Sequence, residues 1–292
     1  MIYATNTEFI KGEDELFEGL DLIINAGFPA IDFSIFKNYD YILADGYKEK
    51  AKEIRKFVES RGVHINQIHA PFGGGPVLYP QNIVPNLPRI LEFASLIGAK
   101  CAIVHPVHGE PFRKNRQMVF DRNIKFYSSL APYAKDFGIK IALENMWQRH
   151  PMSNYITDDI YADPCELALA YDTLADPEAF TVCLDLGHVA ICGREPEEAI
   201  ESLGSRIGAL HVHDVDYIND SHTLPGQGKI DWDKVCRALA KVDYKGYFTL
   251  EADCFIRRYP KALYPTALKM MNDVSAYYSE KMEEYRSEYK NA

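Results

Sequence analysis

The chain has 292 residues, and its 42 acidic and 32 basic side chains give a formal net charge of −10 at neutral pH. Hydrophobic residues make up 47 % and charged residues 25 %, which is close to the globular average and excludes a fibrous or disordered chain. The acidic balance argues against a protein that coats nucleic acid or an anionic membrane.

Neither a secretory signal nor a membrane span is predicted. The first fifteen residues carry no basic segment followed by an apolar run. No stretch approaches the roughly 18 uncharged apolar residues that a spanning helix needs. The six cysteines are far apart without a CxxC pair, which is typical of small buried side chains in a reducing compartment. We therefore expect a cytoplasmic protein that does not act at a membrane.

Eight short apolar, β-branched segments alternate with longer amphipathic segments along the chain. The predicted strands cover 2–5, 30–33, 64–69, 101–105, 140–144, 181–185, 207–213 and 247–251. The predicted helices cover 13–26, 48–61, 88–97, 116–137, 164–174, 195–203 and 232–242, followed by a helical tail over 261–289. Glycines that follow several of these helices, and prolines near the start of two others, agree with these boundaries.

The number of β–α units predicts the fold class. Eight such units in a chain of this length are expected for a (β/α)8 barrel. A doubly wound open sheet is the competing α/β architecture, but it usually has a glycine-rich turn after its first strand, and 6–12 has none. No linker rich in Gly, Ser or Pro divides the chain. The sequence therefore predicts one α/β domain over 1–292, a single (β/α)8 TIM barrel.

Six successive predicted strands end in a histidine or a carboxylate. These strand ends carry His69, His105, Glu144, Asp185 with His188, His211 with His213, and Glu251. In a parallel barrel the carboxyl ends of all strands meet on one face, where active sites of this fold are built. One such residue is usually structural, but six at an apolar barrel mouth cost free energy unless they are paired or bind metal. The pattern predicts a divalent metal site, and mixed imidazole and carboxylate ligands suit Mn²⁺, Mg²⁺, Co²⁺ or Zn²⁺.

Several motifs, by their order and spacing, resemble the xylose-isomerase-like TIM-barrel superfamily of sugar isomerases and epimerases. They are NAGFPAIDFS (25–34), LEN (143–145), VCLDLGHVAICG (182–193), LHVHD (210–214), LPGQGKIDW (224–232) and LEAD (250–253). The resemblance spans essentially the whole chain. It implies one metal ion held by four residues, Glu144, Asp185, His211 and Glu251. We expect Mn²⁺, with Zn²⁺, Mg²⁺ or Co²⁺ as alternatives.

The chemistry of sugar isomerisation fits these residue types. A proton must leave a carbon beside a carbonyl, and a metal bound to the carbonyl and the adjacent hydroxyl would stabilise the cis-enediolate. One carboxylate would remove the proton, and a second would return it to the other face or to the neighbouring carbon. The resemblance to ketose 3-epimerases implies that Glu144 and Glu251 are this pair. The candidate substrate contacts are His69, His105, His188, His222 and Trp147.

Endonuclease IV, a DNA-repair enzyme on the same barrel, is the competing branch of the superfamily. It uses nine ligands for three zinc ions, and this chain offers a counterpart for each: His69, His105, Glu144, Asp185, His188, His211, Asp220, His222 and Glu251. Apart from Arg113, Lys114 and Arg116, however, the loops after the strands are acidic or apolar and supply few counterions for a duplex. We therefore expect a small sugar or polyol as the partner rather than nucleic acid. A polyol dehydratase of the same superfamily is a further alternative.

The loops also bear on the substrate and on assembly. No pair of Arg or Lys residues at the strand ends forms a convincing phosphate clamp, so we expect an unphosphorylated ketose, aldose or cyclic polyol. Arg113, Lys114 and Arg116 form the alternative anion site.

The C-terminal tail over 277–289 is rich in aromatic and charged residues. The sequence does not decide whether this tail packs on its own barrel or on a partner subunit of a homo-oligomer.

Overall fold

A computed structural model describes residues 1–35, 39–73 and 75–291. Its main sheet has eight parallel strands, β1 Tyr3–Asn6, β2 Ala30–Ser34, β3 His64–His69, β4 Cys101–Ile103, β5 Lys140–Glu144, β8 Phe180–Asp185, β9 Ile207–His211 and β10 Phe248–Leu250. Hydrogen-bonded neighbours follow the order β10-β1-β2-β3-β4-β5-β8-β9. A parallel bridge between Val212 and Leu250 joins β9 to β10, and the predicted (β/α)8 barrel is confirmed.

Among the described residues, eight helices form the outer layer, one after each strand of the main sheet. They are α1 Leu16–Ala26, α3 Tyr47–Glu59, α5 Leu87–Leu96, α6 Phe112–Phe137, α7 Pro164–Leu174, α9 Pro196–Leu203, α10 Trp232–Lys241 and α12 Tyr264–Asn291. Each of them corresponds to a predicted helix. Because apolar residues recur on one side of each amphipathic helix, that side packs on the sheet; in α10 it carries Trp232, Val235 and Leu239, all buried.

The loops at the carboxyl ends of the strands contain structure that the sequence did not predict. Four further helices lie there in the part of the chain that the structure describes, α2 Tyr39–Leu43, α4 Gly75–Asn82, α8 Leu186–Ile191 and α11 Asp253–Ile256. The antiparallel strands β6 Trp147–Arg149 and β7 Ile156–Asp158 form a hairpin after β5. These additions build up the rim around one end of the barrel.

The C-terminal helix packs on the chain's own barrel. In α12, the side chains of Leu268, Met271 and Met282 are buried, and the helix contacts α1 and α10. Its opposite side leaves Met270 and Tyr277 exposed. The buried side of the helix therefore packs on the chain's own barrel.

Two expectations from composition have structural outcomes. Cys101, Cys183 and Cys236 are buried as predicted, but Cys165 is exposed, and the other two cysteines are half-buried. Small side chains tolerate either environment, so composition alone did not separate these cases. In the part of the chain that the structure describes, no helix has both the length and the apolar composition needed to cross a membrane.

Candidate metal centre at the barrel mouth

The polar strand ends converge at one end of the barrel. His69, Glu144, Asp185 and His211 are the last residues of β3, β5, β8 and β9. His105 and Glu251 follow just after β4 and β10. All six side chains are buried, although they are charged or strongly polar. Residues that are more than 180 positions apart in the sequence therefore share one site.

Four of these residues form what we call the carboxylate group: Glu144, Asp185, His211 and Glu251. Each offers one ligand atom, and these atoms lie within 4.8 Å of one another. Nδ1 of His211 lies 2.6 Å from Oε1 of Glu144 and 3.2 Å from Oε2 of Glu251. This is the set of residues that the family resemblance implied as metal ligands, and the geometry brings it together.

The electrostatics of the carboxylate group fit a divalent cation. Burial opposes ionisation of Glu144, but His211 and His105 hold the pKa of its carboxyl well below the usual value. Burial raises the pKa of Glu251 well above its usual value; His211 and His222 oppose this rise, and the negative charges of Asp185 and Glu144 add to it. The ionised form of Glu251 is therefore disfavoured in this group, and a bound cation would favour it. Oxygen and imidazole donors suit Mn²⁺, Mg²⁺ or Zn²⁺.

A second cluster, the histidine group, lies next to the first and consists of His188, His213, Asp220 and His222. Nε2 of His222 lies 3.2 Å from Oδ2 of Asp220, and Nε2 of His188 lies 3.6 Å from the same oxygen. Burial opposes protonation of His188, but Asp185 and Asp220 raise its pKa to about 10. Three of the five predicted additional ligands, His188, Asp220 and His222, are therefore brought together in this cluster.

His69 and His105 complete the wall on the other side of Glu144. Nε2 of His105 lies 3.0 Å from Oε2 of Glu144, and Nε2 of His69 lies 3.9 Å from that oxygen. Burial and the neighbouring His105 lower the pKa of His69 to about 3, so its ring is neutral near pH 7. The Phe72 ring stacks on His105 at 4.3 Å between centroids and remains partly exposed. Neutral imidazoles beside an aromatic ring are suited to contacts with an uncharged hydroxylated ligand.

Trp147 lies at the rim of the site. Its Nε1 donates a hydrogen bond of 3.2 Å to Oδ2 of Asp220, so the hairpin is joined to the histidine group. The Arg149 guanidinium lies over its ring at 5.6 Å. The indole is half-buried and lies beside the residues predicted to contact substrate.

Arg116, one of the three basic residues after β4, is paired with carboxylates. Nε of Arg116 donates to Glu166 at 2.7 Å, and its Nη2 lies 3.5 Å from Asp163. These carboxylates occupy the guanidinium that a phosphate would need. Arg116 is therefore less available to an anion than its position in the sequence suggests.

Four polar residues near the mouth received no site role from the sequence: Asp32, His108, Asp159 and His213, the last of which was noted only as part of a polar strand end. His213 lies 3.0 Å from Asp185, Asp32 is buried near His211, and His108 pairs with the buried Asp159 at 2.7 Å. A signal existed for His213, because alternate residues of an extended strand point to the same side, and His211 is two positions earlier. Asp32 and Asp159 had no comparable signal, since each lies among ordinary strand or loop residues.

The fold and the site together define a parallel (β/α)8 barrel with a candidate metal centre at the carboxyl ends of its strands. The family model described as xylose isomerase-like TIM barrel matches residues 20–274, and the chain belongs to that family.

Curated relatives include proteins with and without an assigned activity. An uncharacterized protein of Sinorhizobium fredii is 26 % identical over 253 residues, which is 77 % of each chain. A fructoselysine 3-epimerase of Escherichia coli is 23 % identical over 55 % of each chain. An inosose dehydratase of Bacillus cereus is 35 % identical over 97 residues, which is 27 % of this chain and 33 % of that protein.

Solved structures share the whole barrel at low sequence identity. A D-tagatose 3-epimerase-like protein is 21 % identical, with a TM-score of 0.77 over 97 % of this chain and 99 % of that one. The IOLI protein, solved with a zinc atom, is 18 % identical, with a TM-score of 0.72 over 98 % of this chain and 99 % of that one. At these identities the likeness is one of fold.

Proposed function

We propose that the protein is a divalent-cation-dependent sugar isomerase or epimerase that moves a proton on a carbon beside a carbonyl. The carboxylate group carries this proposal, because three buried carboxylates and an imidazole face one another at the barrel mouth. A protein of this size buries such a set at a large cost in free energy unless the set binds a cation. Mn²⁺ is the cation we expect, and Zn²⁺, Mg²⁺ and Co²⁺ have compatible ligand preferences.

The residues of the group would hold the cation and move the proton. Glu144, Asp185, His211 and Glu251 would be its ligands, and the cation would polarise the substrate carbonyl and the adjacent hydroxyl. Glu144 and Glu251 come from β5 and from the end of β10 and approach Nδ1 of His211 from two different strands. One would accept the proton from the substrate carbon, and the other would donate a proton to the product.

The surrounding residues would orient the sugar. His69, His105 and His188 would contact its hydroxyl groups, as would His222 at the far side of the histidine group. Trp147 and Phe72 would cover apolar faces of the ring or chain. Fructoselysine 3-epimerase and D-tagatose 3-epimerase-like protein, named above as similar proteins, support a ketose or a related hydroxylated carbonyl compound as substrate class.

A dehydratase is compatible with the same first step. Removal of a proton beside a carbonyl precedes loss of a β-hydroxyl as water, and the aligned inosose dehydratase supports this alternative.

A three-metal phosphodiester hydrolase is a second candidate. It is favoured by the histidine group, since His188, Asp220 and His222 form a cluster separate from the carboxylate group. The net charge of −10 and the pairing of Arg116 oppose a DNA substrate.

The decisive assay uses unphosphorylated ketoses, aldoses and cyclic polyols, together with their phosphates, in D₂O with added Mn²⁺. We expect deuterium in the product at one carbon beside the carbonyl, together with an epimer or isomer. A dehydrated product with an unsaturated carbonyl would favour the dehydratase. Cleavage of an abasic-site oligonucleotide without turnover of any sugar would overturn the proposal in favour of the hydrolase.

A further inference from the structure

The barrel interior contains a buried carboxylate, that of Asp32, which none of the roles described so far explains. Asp32 lies on β2, and its side chain is completely buried. Oδ2 accepts a hydrogen bond of 3.0 Å from Nε2 of Gln67, while Oδ1 has no hydrogen-bond partner among the described residues. Ionised groups in such surroundings cost free energy unless they are paired. The inside of a parallel barrel is usually filled with layers of branched apolar side chains, so this acid requires an explanation.

A row of polar side chains from β10 and β3 leads to Asp32 on β2. Nδ2 of Asn66 lies 3.3 Å from Oγ1 of Thr249 and donates to Oε1 of Gln67 at 3.2 Å. Gln67 is the register partner of Asp32 between β3 and β2, and the register shifts between Ile31 and Asp32. The row therefore fixes the position of the Asp32 carboxylate.

The far end of this row is the imidazole of His211. Nε2 of His211 lies 3.6 Å from Oδ2 of Asp32, whereas Nδ1 faces Glu144 at 2.6 Å. The ring therefore lies between Asp32 on one side and the carboxylate group on the other. Its two nitrogens consequently have different surroundings.

A cation on Nδ1 would select a tautomer. Nε2 of His211 has no hydrogen-bond partner among the described residues, and Oδ2 of Asp32 lies 3.6 Å from it. For Nδ1 to offer a lone pair to a cation, the imidazole proton must be on Nε2, which is the nitrogen that faces Asp32. A carboxylate behind a ligating histidine holds the ring in place, fixes the tautomer and makes the ligand more basic. Among the described residues, Asp32 is the carboxylate beside this nitrogen.

We infer that Asp32, held by Gln67, is a positioning residue that orients His211 with its proton on Nε2 and thereby strengthens cation binding by the carboxylate group. The inference rests on the proposed function, because it assumes that this group binds a divalent cation. It assigns to Asp32, a residue of β2, a role that is exerted through His211.

The test measures metal affinity in the full-length protein, by competition between the protein and a chelating dye for Mn²⁺. We expect Asp32→Asn to weaken Mn²⁺ binding by about 10- to 100-fold, as is typical when the partner of a ligating histidine is removed. Gln67→Leu should weaken it in the same direction but less, because Asp32 remains and only its hydrogen bond is lost. Gln67→Leu also provides the test if Asp32→Asn does not fold.

The matched control is Asp214→Asn. Asp214 is also completely buried, but it accepts hydrogen bonds from the backbone of Val215 and Gly226 and from Trp232. We expect this variant to melt at a lower temperature and to bind Mn²⁺ with the affinity of the parent protein. A loss of affinity in Asp32→Asn alone would then reflect the contact with His211 and not a general loss of stability.

A spectroscopic readout separates positioning from packing. In the zinc-loaded protein, ¹H–¹⁵N spectra of the imidazoles should contain a slowly exchanging Nε2–H that disappears in His211→Gln and shifts in Asp32→Asn. If the parent protein binds no divalent cation, the proposed function itself fails. If the parent binds Mn²⁺ and both variants bind it equally well, with the Nε2–H signal unchanged, the role assigned to Asp32 is wrong and the proposed function stands.

Discussion

Nε2 of His213 lies 3.0 Å from Oδ1 of Asp185, and this contact links the histidine group to the carboxylate group. Oδ1 of Asp185 also accepts the backbone N–H of His188 at 2.6 Å, so this carboxylate caps α8. Asp185 therefore combines three roles at the end of β8: it caps a helix, holds His213 and faces the candidate metal position. A substitution at Asp185 therefore affects both the histidine group and the carboxylate group.

Gly187 allows His213 to occupy this position. A Cβ added at Gly187 would lie 2.0 Å from Cε1 of His213, which is far inside van der Waals contact. We expect Gly187→Ala to displace the ring and lower the free energy of unfolding by about 1–3 kcal/mol, as overpacking of a buried site does. Thermal melting of the variant measures this change.

The control for that prediction is Gly12→Ala. Nothing lies within 4 Å of a Cβ added at Gly12, and its φ of 179° is accessible to any residue. This variant should melt like the parent protein. Equal melting temperatures for Gly187→Ala and Gly12→Ala would show that the His213 ring has room to move.

Glu144→Gln and Glu251→Gln test the proposed proton transfer. Each substitution keeps the shape of the side chain and removes the group that gains or loses the proton. We expect the rate of solvent-deuterium incorporation into the sugar to fall by about 10²- to 10⁴-fold in each variant. Glu110→Gln is the control, because Glu110 pairs with Arg122 away from the carboxylate group. A glutamate whose Gln variant exchanges deuterium at the parent rate does not transfer the proton.

Trp147 offers a signal from the rim of the site. The chain has two tryptophans, and Trp232 is buried against Asp214, whereas Trp147 is half-buried and donates to Asp220. We expect substrate binding to change the tryptophan emission, and we expect Trp147→Phe to abolish this change and raise KM. An emission change that persists in Trp147→Phe would assign the signal to Trp232 and remove this indole from the binding site.

The opposite end of the barrel provides a pH prediction that does not involve the site. Burial lowers the pKa of His64, whose Nε2 lies 2.7 Å from the Tyr247 hydroxyl. Because the pKa in the folded state is below the unfolded value of about 6.5, the neutral ring stabilises the fold above that pH, and this contribution is lost as pH falls toward the folded pKa. His64→Gln should therefore lose less stability than the parent between pH 8 and pH 5. Equal losses in melting experiments on the two proteins would contradict this assignment.

Much of the barrel was predictable because its signals are local. Each strand is a short β-branched run, and each outer helix has one apolar side, so that type and order follow from periodicity. The strand ends were predictable for a different reason, since parallel strands bring Glu144 and Glu251 to one face whatever the loops do. The hairpin formed by β6 and β7 was not predictable in this way, because its three-residue strands are too short to show a period.

The buried partners of the site residues could not be predicted from the sequence. In the sequence, Asp32 cannot be distinguished from any other acidic residue of a strand. Its importance follows only from the strand register, which places it beside Gln67 and 3.6 Å from His211. His108 lies in a loop, and its partner Asp159 is 51 positions further along the chain. Contacts of this kind depend on tertiary geometry, and no local pattern encodes them.

Metal analysis of the purified protein tests the central claim most directly. The account predicts one tightly bound divalent cation per chain, whose removal by a chelator abolishes solvent-deuterium exchange into the sugar and whose replacement by Mn²⁺ restores it. Asp185→Asn should lower the metal content, whereas Asp214→Asn should not. Three tightly bound zinc ions per chain would point to the hydrolase instead, and full activity on a sugar without any bound cation would contradict the account.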